Sequence, residues 1–201
     1  MVTKTQITRL LDLAQRQEII RPRDLDRRGI PRMVLKRLVD RGDIVRRGRG
    51  IYARADLEPS THANLADVAK RLPKAVICLL SALRFHELTT QNPFEIWVMI
   101  DRTSRTPVID YPPIRLVRAS GQAIRAGIEH HTIHGVEVRV TNPAKTVADC
   151  FRYRNKIGID VAVEALRDCK RLRKATIDEL QHFATIDRVA NVMRPYLESI
   201  T

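Results

Sequence analysis

The chain has 201 residues, 44% of them apolar and 29% charged, and 36 Lys/Arg against 23 Asp/Glu give a net charge of +13. That length allows one or two domains with a real core. The longest apolar run, Ala75-Val76-Ile77-Cys78-Leu79-Leu80, is far short of the ~20 residues of a membrane-spanning helix, and the N-terminus shows no apolar signal stretch, so a cytoplasmic location is expected and no membrane partner.

The charge is unevenly spread. Residues 1–55 hold 15 Lys/Arg against 6 Asp/Glu, a net +9, and residues 56–201 hold the other 21 and 17, a net +4. A basic domain joined to a near-balanced one suggests a polyanion-binding module with a separate partner domain, divided at 1–55 and 56–201.

In chain order, residues 3–17 read as a helix, with Ile7, Leu10, Leu11 and Ala14 on one stripe. Pro22 starts a second, short helix, and Gly29 supplies the turn that ends it. Pro31 opens a third helix running to about Arg41, with Val34, Leu35, Leu38 and Val39 on one side and Arg32, Met33, Lys36, Arg37 and Asp40 on the other. Gly42 stops it. Residues 43–53 read as a β-hairpin around Gly48-Arg49-Gly50.

Residues 56–60 read as a linker. Beyond them helices are expected at 61–72 and 79–88, strands at 94–100 and 114–117, and a hairpin from 128–133 to 136–140. Asn142-Pro143 caps and starts a helix reaching Phe151. Residues 158–170 are helical, Thr176-Ile177-Asp178-Glu179 is a capping-box pattern, and a last helix is expected over about 187–197. The fold class is therefore α+β: an N-terminal winged helix-turn-helix, then a mixed α+β domain with a C-terminal helical region.

A helix, a short helix, a turn with Gly, a basic helix and a basic hairpin make a DNA-binding arrangement. The third helix fits a major groove, where Arg32, Lys36 and Arg37 reach base edges. Arg46, Arg47 and Arg49 on the wing meet phosphate or the minor groove, and Arg21 and Arg23 reach phosphate from the start of the second helix. For any one of these side chains a solvated surface charge is the ordinary account. Their joint placement on helix and wing favours double-stranded DNA. Single-stranded RNA fits less well, because stacking aromatics are scarce and Tyr52 is the one aromatic in residues 1–55.

The second half carries no Gly-rich phosphate loop and no hydrolase or zinc-protease motif, so no catalytic residue, metal ligand or cofactor is expected. His130 and His131 would point to opposite faces of a strand, so at most two of His130, His131 and His134 converge. Asp149 reads as a cap partner or ion pair. Cys78, Cys150 and Cys169 read as reduced, buried thiols. Arg167, Lys170, Arg171, Arg173 and Lys174 form a basic run, read either as a solvated helix end or as a surface for an acidic partner, with Arg167, Lys170 and Arg171 the contact candidates.

The order of these segments resembles the AbiEi antitoxins of type IV toxin–antitoxin systems. Ile30-Pro31-Arg32-Met33-Val34-Leu35-Lys36-Arg37-Leu38-Val39 looks like that family's recognition helix, and Gly42 through Tyr52 looks like its wing. Ser81-Ala82-Leu83 leading to Leu88, the strand around Trp97-Val98, Gly135 through Val140, and Asn142-Pro143-Ala144-Lys145-Thr146-Val147-Ala148-Asp149 extend the likeness along nearly the whole chain. His86 and Glu87 depart from it, standing where a small residue and glycine are expected before Leu88. The resemblance implies an autorepressor that binds inverted repeats in its own promoter, with a cooperative dimer on DNA as one arrangement. It also implies a C-terminal domain that counters a nucleotidyltransferase-like toxin, directly or indirectly, and no enzymatic activity. Two other readings remain: a plain winged-helix repressor whose second domain senses a ligand or dimerises, and an enzyme that is a nuclease or modifies the toxin.

Overall fold

The computed structural model describes residues 4–17, 20–48, 50–56, 62–91, 93, 95–109 and 112–200, without the side chains of Lys4, Arg47, Gly48 and Ile51. Most of the expected linker, 57–60, lies outside the described residues. The chain forms two compact units, one of Met1–Pro73 with Pro107–Pro113 and Thr132–Val138, the other of Lys74–Thr106, Ile114–His131 and Arg139–Thr201.

The first unit contains α1 (Lys4–Arg16), α2 (Pro22–Asp26), α3 (Arg32–Asp40), β1 (Ile44–Gly48), β2 (Ile51–Arg54) and α4 (Ala63–Arg71). The apolar stripes meet in one core of Leu10, Leu13, Ala14, Ile20, Leu25, Ile30, Val34, Leu35, Leu38 and Ile44. β1 and β2 are antiparallel, and a bulge falls between Arg46 and Gly48. Ile20 widens this wing by exchanging both backbone hydrogen bonds with Tyr52, at 2.8 and 3.0 Å. Gly42 ends α3 at φ +78°. Its N–H bonds to the Val39 carbonyl, and that of Asp43 to the Leu38 carbonyl, a helix stop that requires the left-handed backbone glycine adopts most readily.

The second unit is built on a five-stranded sheet of order β5-β4-β3-β7-β6, from β3 (Val76–Ile77), β4 (Ile96–Asp101), β5 (Ile114–Ala119), β6 (Ile128–Ile133) and β7 (Val136–Thr141); the hairpin tip, 132–138, groups with the first unit. β3 is antiparallel to β4 and parallel to β7, and β4 is parallel to β5. Its helices are α5 (Leu79–Phe85), α6 (Gln122–Arg125), α7 (Pro143–Arg152), α8 (Arg154–Ile157), α9 (Ile159–Arg171), α10 (Ile177–Ile186) and α11 (Ala190–Ile200). Phe151, Leu83, Leu166 and Leu180 are fully buried in its core, each worth roughly 1.5–3 kcal/mol relative to exposure.

The fold class is the one read from the sequence, and the element boundaries differ where distant contacts decide them. Within the apolar run Ala75–Leu80 the helix begins at Leu79 as expected, but Val76 and Ile77, for which no strand was expected, form β3 because they pair with Met99 and Val98. α6 and α8 carry no strong local signal and were not expected. The last helix begins at Ala190, not 187: Asp187 caps α10 and Arg188 turns out of it at φ +58°. Asn142 does cap α7, its side chain accepting from the Lys145 N–H at 2.8 Å, and the Thr176–Glu179 capping box forms at α10.

Candidate nucleic-acid interface

α3 turns Val34, Leu35 and Leu38 into the first unit's core, so its period leaves Arg32, Met33, Lys36, Arg37 and Asp40 on the solvent side. Met33 is 69% exposed, an apolar body amid three cations. Arg32 is engaged: its Nε and Nη2 donate to the Asp26 carboxylate at 3.2 and 2.7 Å. That hydrogen bond raises the Arg32 guanidinium above its ordinary value and holds the Asp26 carboxyl below the usual carboxylate range. The pair stands in water, where such contacts are weak and yield to a stronger anion. Arg46 is exposed on β1 opposite Tyr52. The side chain of Arg47, and all of Arg49, lie outside the described residues.

Arg21 and Arg23 flank Pro22 at the start of α2, but α2 does not stand alone there. Lys70 of α4 reaches Asp24 at 2.7 Å, with both side chains about one-tenth exposed. Asp24 also accepts from the Arg21 N–H at 2.9 Å. Burial would raise the Asp24 carboxyl, but these bonds and the nearby cations outweigh it and leave it low. Burial instead lowers Lys70, because Arg21 and Arg23 add repulsion to its desolvation. Arg21 itself is brought down to about 10 by burial, with Arg23 and Arg71 pushing the same way. The involvement of α4 was invisible in the sequence, where nothing local ties residue 70 to residue 24.

In the second unit Arg167 and Arg171 are exposed and Lys170 is half-buried. Arg171 is tied to Asp168 at 2.9 Å. β6 alternates, with His130 exposed and His131 half-buried beside Glu129 at 2.9 Å. Among the described residues no group of three His, Cys, Asp or Glu side chains is placed to hold a metal ion. Cys78, Cys150 and Cys169 are buried and free, and burial pushes all three thiols up.

The strongest buried electrostatics lie on α7. Lys145, fully buried, donates to Asp149 at 2.5 Å and to Asp187 at 3.2 and 3.0 Å, and Arg152 reaches Asp187 at 3.2 Å. The ion-pair expectation for Asp149 therefore holds, but its setting is a neutral set of two cations and two carboxylates. Burial lifts Asp149 to about 7, Lys145 pulling it down and Asp187 pushing it up. Burial alone would lower Lys145, but its two carboxylates raise it. Gly127 makes room for this set: at φ +66°, a Cβ there would stand 2.7 Å from the Lys145 Cβ and 2.8 Å from the Phe183 ring. The i,i+4 spacing of Lys145 and Asp149 was a visible signal for half of it.

The model of a family described as "Transcriptional regulator, AbiEi antitoxin" matches residues 9–55, the stretch from α1 to the end of the wing. It is the family that the sequence resembles. A comparison with curated proteins gives no match. Among solved structures, the crystal structure of the RV2827C protein from Mycobacterium tuberculosis is similar in fold, with a TM-score of 0.62 at 16% identity over 90% of this chain and 71% of that one. No helix among the described residues is long and apolar enough to cross a membrane.

Proposed function

We propose that the chain is an antitoxin and transcriptional autorepressor: it binds duplex DNA in its own promoter through α3 and the wing, and counters a nucleotidyltransferase-like toxin through its second half. The observation that carries the reading is the outward face of α3, where Arg32, Lys36 and Arg37 stand exposed within the segment matched by a transcriptional-regulator antitoxin family. Helix side chains in a major groove read base edges, and arginine forks match guanine. The wing cations Arg46, Arg47 and Arg49 add phosphate contacts, as do Arg21 and Arg23 at α2.

Neutralisation is assigned to residues 56–201, whose charge is nearly balanced and which include the sheet-and-helix core of Val76, Trp97, Phe151 and Leu166. Arg167, Lys170 and Arg171 are the contact candidates for an acidic surface on the toxin.

The test has two readouts on the full chain. In gel-shift titrations on the upstream region, Arg32→Ala, Lys36→Ala or Arg37→Ala should each cost about 1–3 kcal/mol on the specific site and little on unrelated DNA. Replacing Arg46, Arg47 and Arg49 together should weaken both DNAs and flatten the salt dependence. In colony counts, the chain should rescue cells in which the neighbouring toxin gene is induced. Unchanged binding by the wing triple variant rejects the interface, and no rescue rejects the antitoxin role.

A further inference from the structure

A cleft of about 520 Å³ in the first unit is lined by four arginines, Arg21, Arg23, Arg32 and Arg71, and by Gly50 of the wing turn. Two of the nearby carboxylates are engaged by other cations. Asp24 accepts from Lys70 and from the Arg21 N–H, and Asp26 takes the Arg32 fork. The Nη2 of Arg21 is buried with no hydrogen-bond partner among the described residues, and Arg23 donates from its Nη2 to the Lys70 carbonyl at a long 3.5 Å. An unmet guanidinium nitrogen is costly: Asp24 and Asp67 offset part of the repulsion from Arg23 and Arg71, and a multivalent oxyanion relieves the rest together with the missing bond. Guanidinium forks fit a phosphate in particular, with its several acceptor oxygens in reach of more than one arginine. The borders of the cleft identify the source of that phosphate: Arg32 heads α3 and Gly50 tops the wing, the two elements assigned to DNA.

We propose that Arg71 at the end of α4, together with Arg21 and Arg23, clamps one backbone phosphate of the bound duplex, so that the DNA-binding surface continues past the winged helix onto α4. The proposal rests on the DNA-binding reading above and adds to it a residue outside the 1–55 segment. The Lys70–Asp24 pair has a role in it: it fastens α4 to α2 and so holds Arg71 beside Arg21. A phosphate carries no sequence information, so the clamp sets affinity and register and leaves base choice to α3.

The experiment measures binding of the full chain to its upstream duplex and to an unrelated duplex over a series of salt concentrations. Arg71→Ala should weaken both DNAs equally and flatten the slope of log K against log salt by about 0.9, a loss of about eightfold at 0.1 M salt from that slope alone. Arg71→Lys keeps the charge and should retain the wild-type slope with a smaller loss, which separates the clamp from a folding defect. Arg105→Ala, an exposed arginine of the other unit, should change nothing. A wild-type slope for Arg71→Ala, with the wing triple variant flattened, overturns the clamp and leaves the DNA reading standing. A wild-type chain with no salt-dependent DNA binding overturns both. A third arm replaces chloride by inorganic phosphate at equal ionic strength without DNA. A rise in melting temperature that is lost in Arg71→Ala, combined with an unchanged DNA slope, would assign the cleft to a free phosphorylated ligand and overturn the backbone clamp.

Discussion

Replacing Lys145 by Met tests the buried charge set on α7 directly. Methionine keeps the length and apolar stem of the lysine and deletes the ammonium. It leaves Asp149 and Asp187, both with side chains wholly removed from solvent, facing one another with Arg152 still reaching Asp187. Breaking a buried pair from one side costs about 3–5 kcal/mol. In a chain of this length that corresponds to a melting temperature lower by roughly 6–20 °C. The loss must depend on pH, and its sign follows from Asp149. Its folded-state pKa is raised, to about 7, so the stability linked to its protonation is fully present below the ordinary carboxylate range and is lost as pH rises through about 7. Without the lysine that pKa climbs further, so the variant is hurt least near pH 5, where Asp149 takes up a proton, and most near pH 8. Urea unfolding followed by the fluorescence of Trp97, the chain's one tryptophan and a member of the same core, reports on this unit. A variant within about 1 kcal/mol of wild type at pH 8 would refute the reasoning, since it falls below the range for a broken buried pair. So would a larger loss at pH 5 than at pH 8.

Two further outcomes follow from single contacts. Asp26→Asn removes a carboxylate beside the DNA-facing end of α3 and releases Arg32. Duplex binding should tighten at low salt, with the gain fading as salt screens it, and weaker binding in an anisotropy titration would show that Asp26 positions Arg32 productively. Glu87→Gly should stabilise the second unit by roughly 0.5–1 kcal/mol, because Glu87 holds φ +61°, a left-handed conformation costly for any residue with a Cβ; a lower urea midpoint would refute it. The ion pair lost there is slight, at 3.9 Å from Lys174 with Glu87 84% exposed.

The same Glu87 shows how far a local reading reaches. The resemblance led one to expect glycine before Leu88, and the backbone there has the shape glycine favours: the Leu88 N–H bonds to the Leu83 carbonyl and the Glu87 N–H to that of Arg84, a helix-ending turn. Glu87 holds that turn, and the preceding His86 has its Nε2 2.7 Å from the Thr141 carbonyl oxygen, a contact 55 residues away that no local pattern announces.

Several features governed by a period or a cap were legible in the chain alone. The apolar stripe of α3 decided that Arg32, Lys36 and Arg37 face outward, Gly42 decided where that helix stops, and Asn142 and Thr176 decided where α7 and α10 begin. These features depend on neighbours within one or two turns, so the chain carries them in order. Tertiary structure decided which distant groups meet. It made a strand of Val76–Ile77 by laying β4 and β7 beside it, set Asp187 against Lys145 across 42 residues, and brought α4 to α2 through Lys70 and Asp24. Each of these pairings is selected by burial, which strips water from a charge or from a backbone polar group and so makes its partner obligatory. Burial is a property of the assembled core, and no window of neighbouring residues contains it.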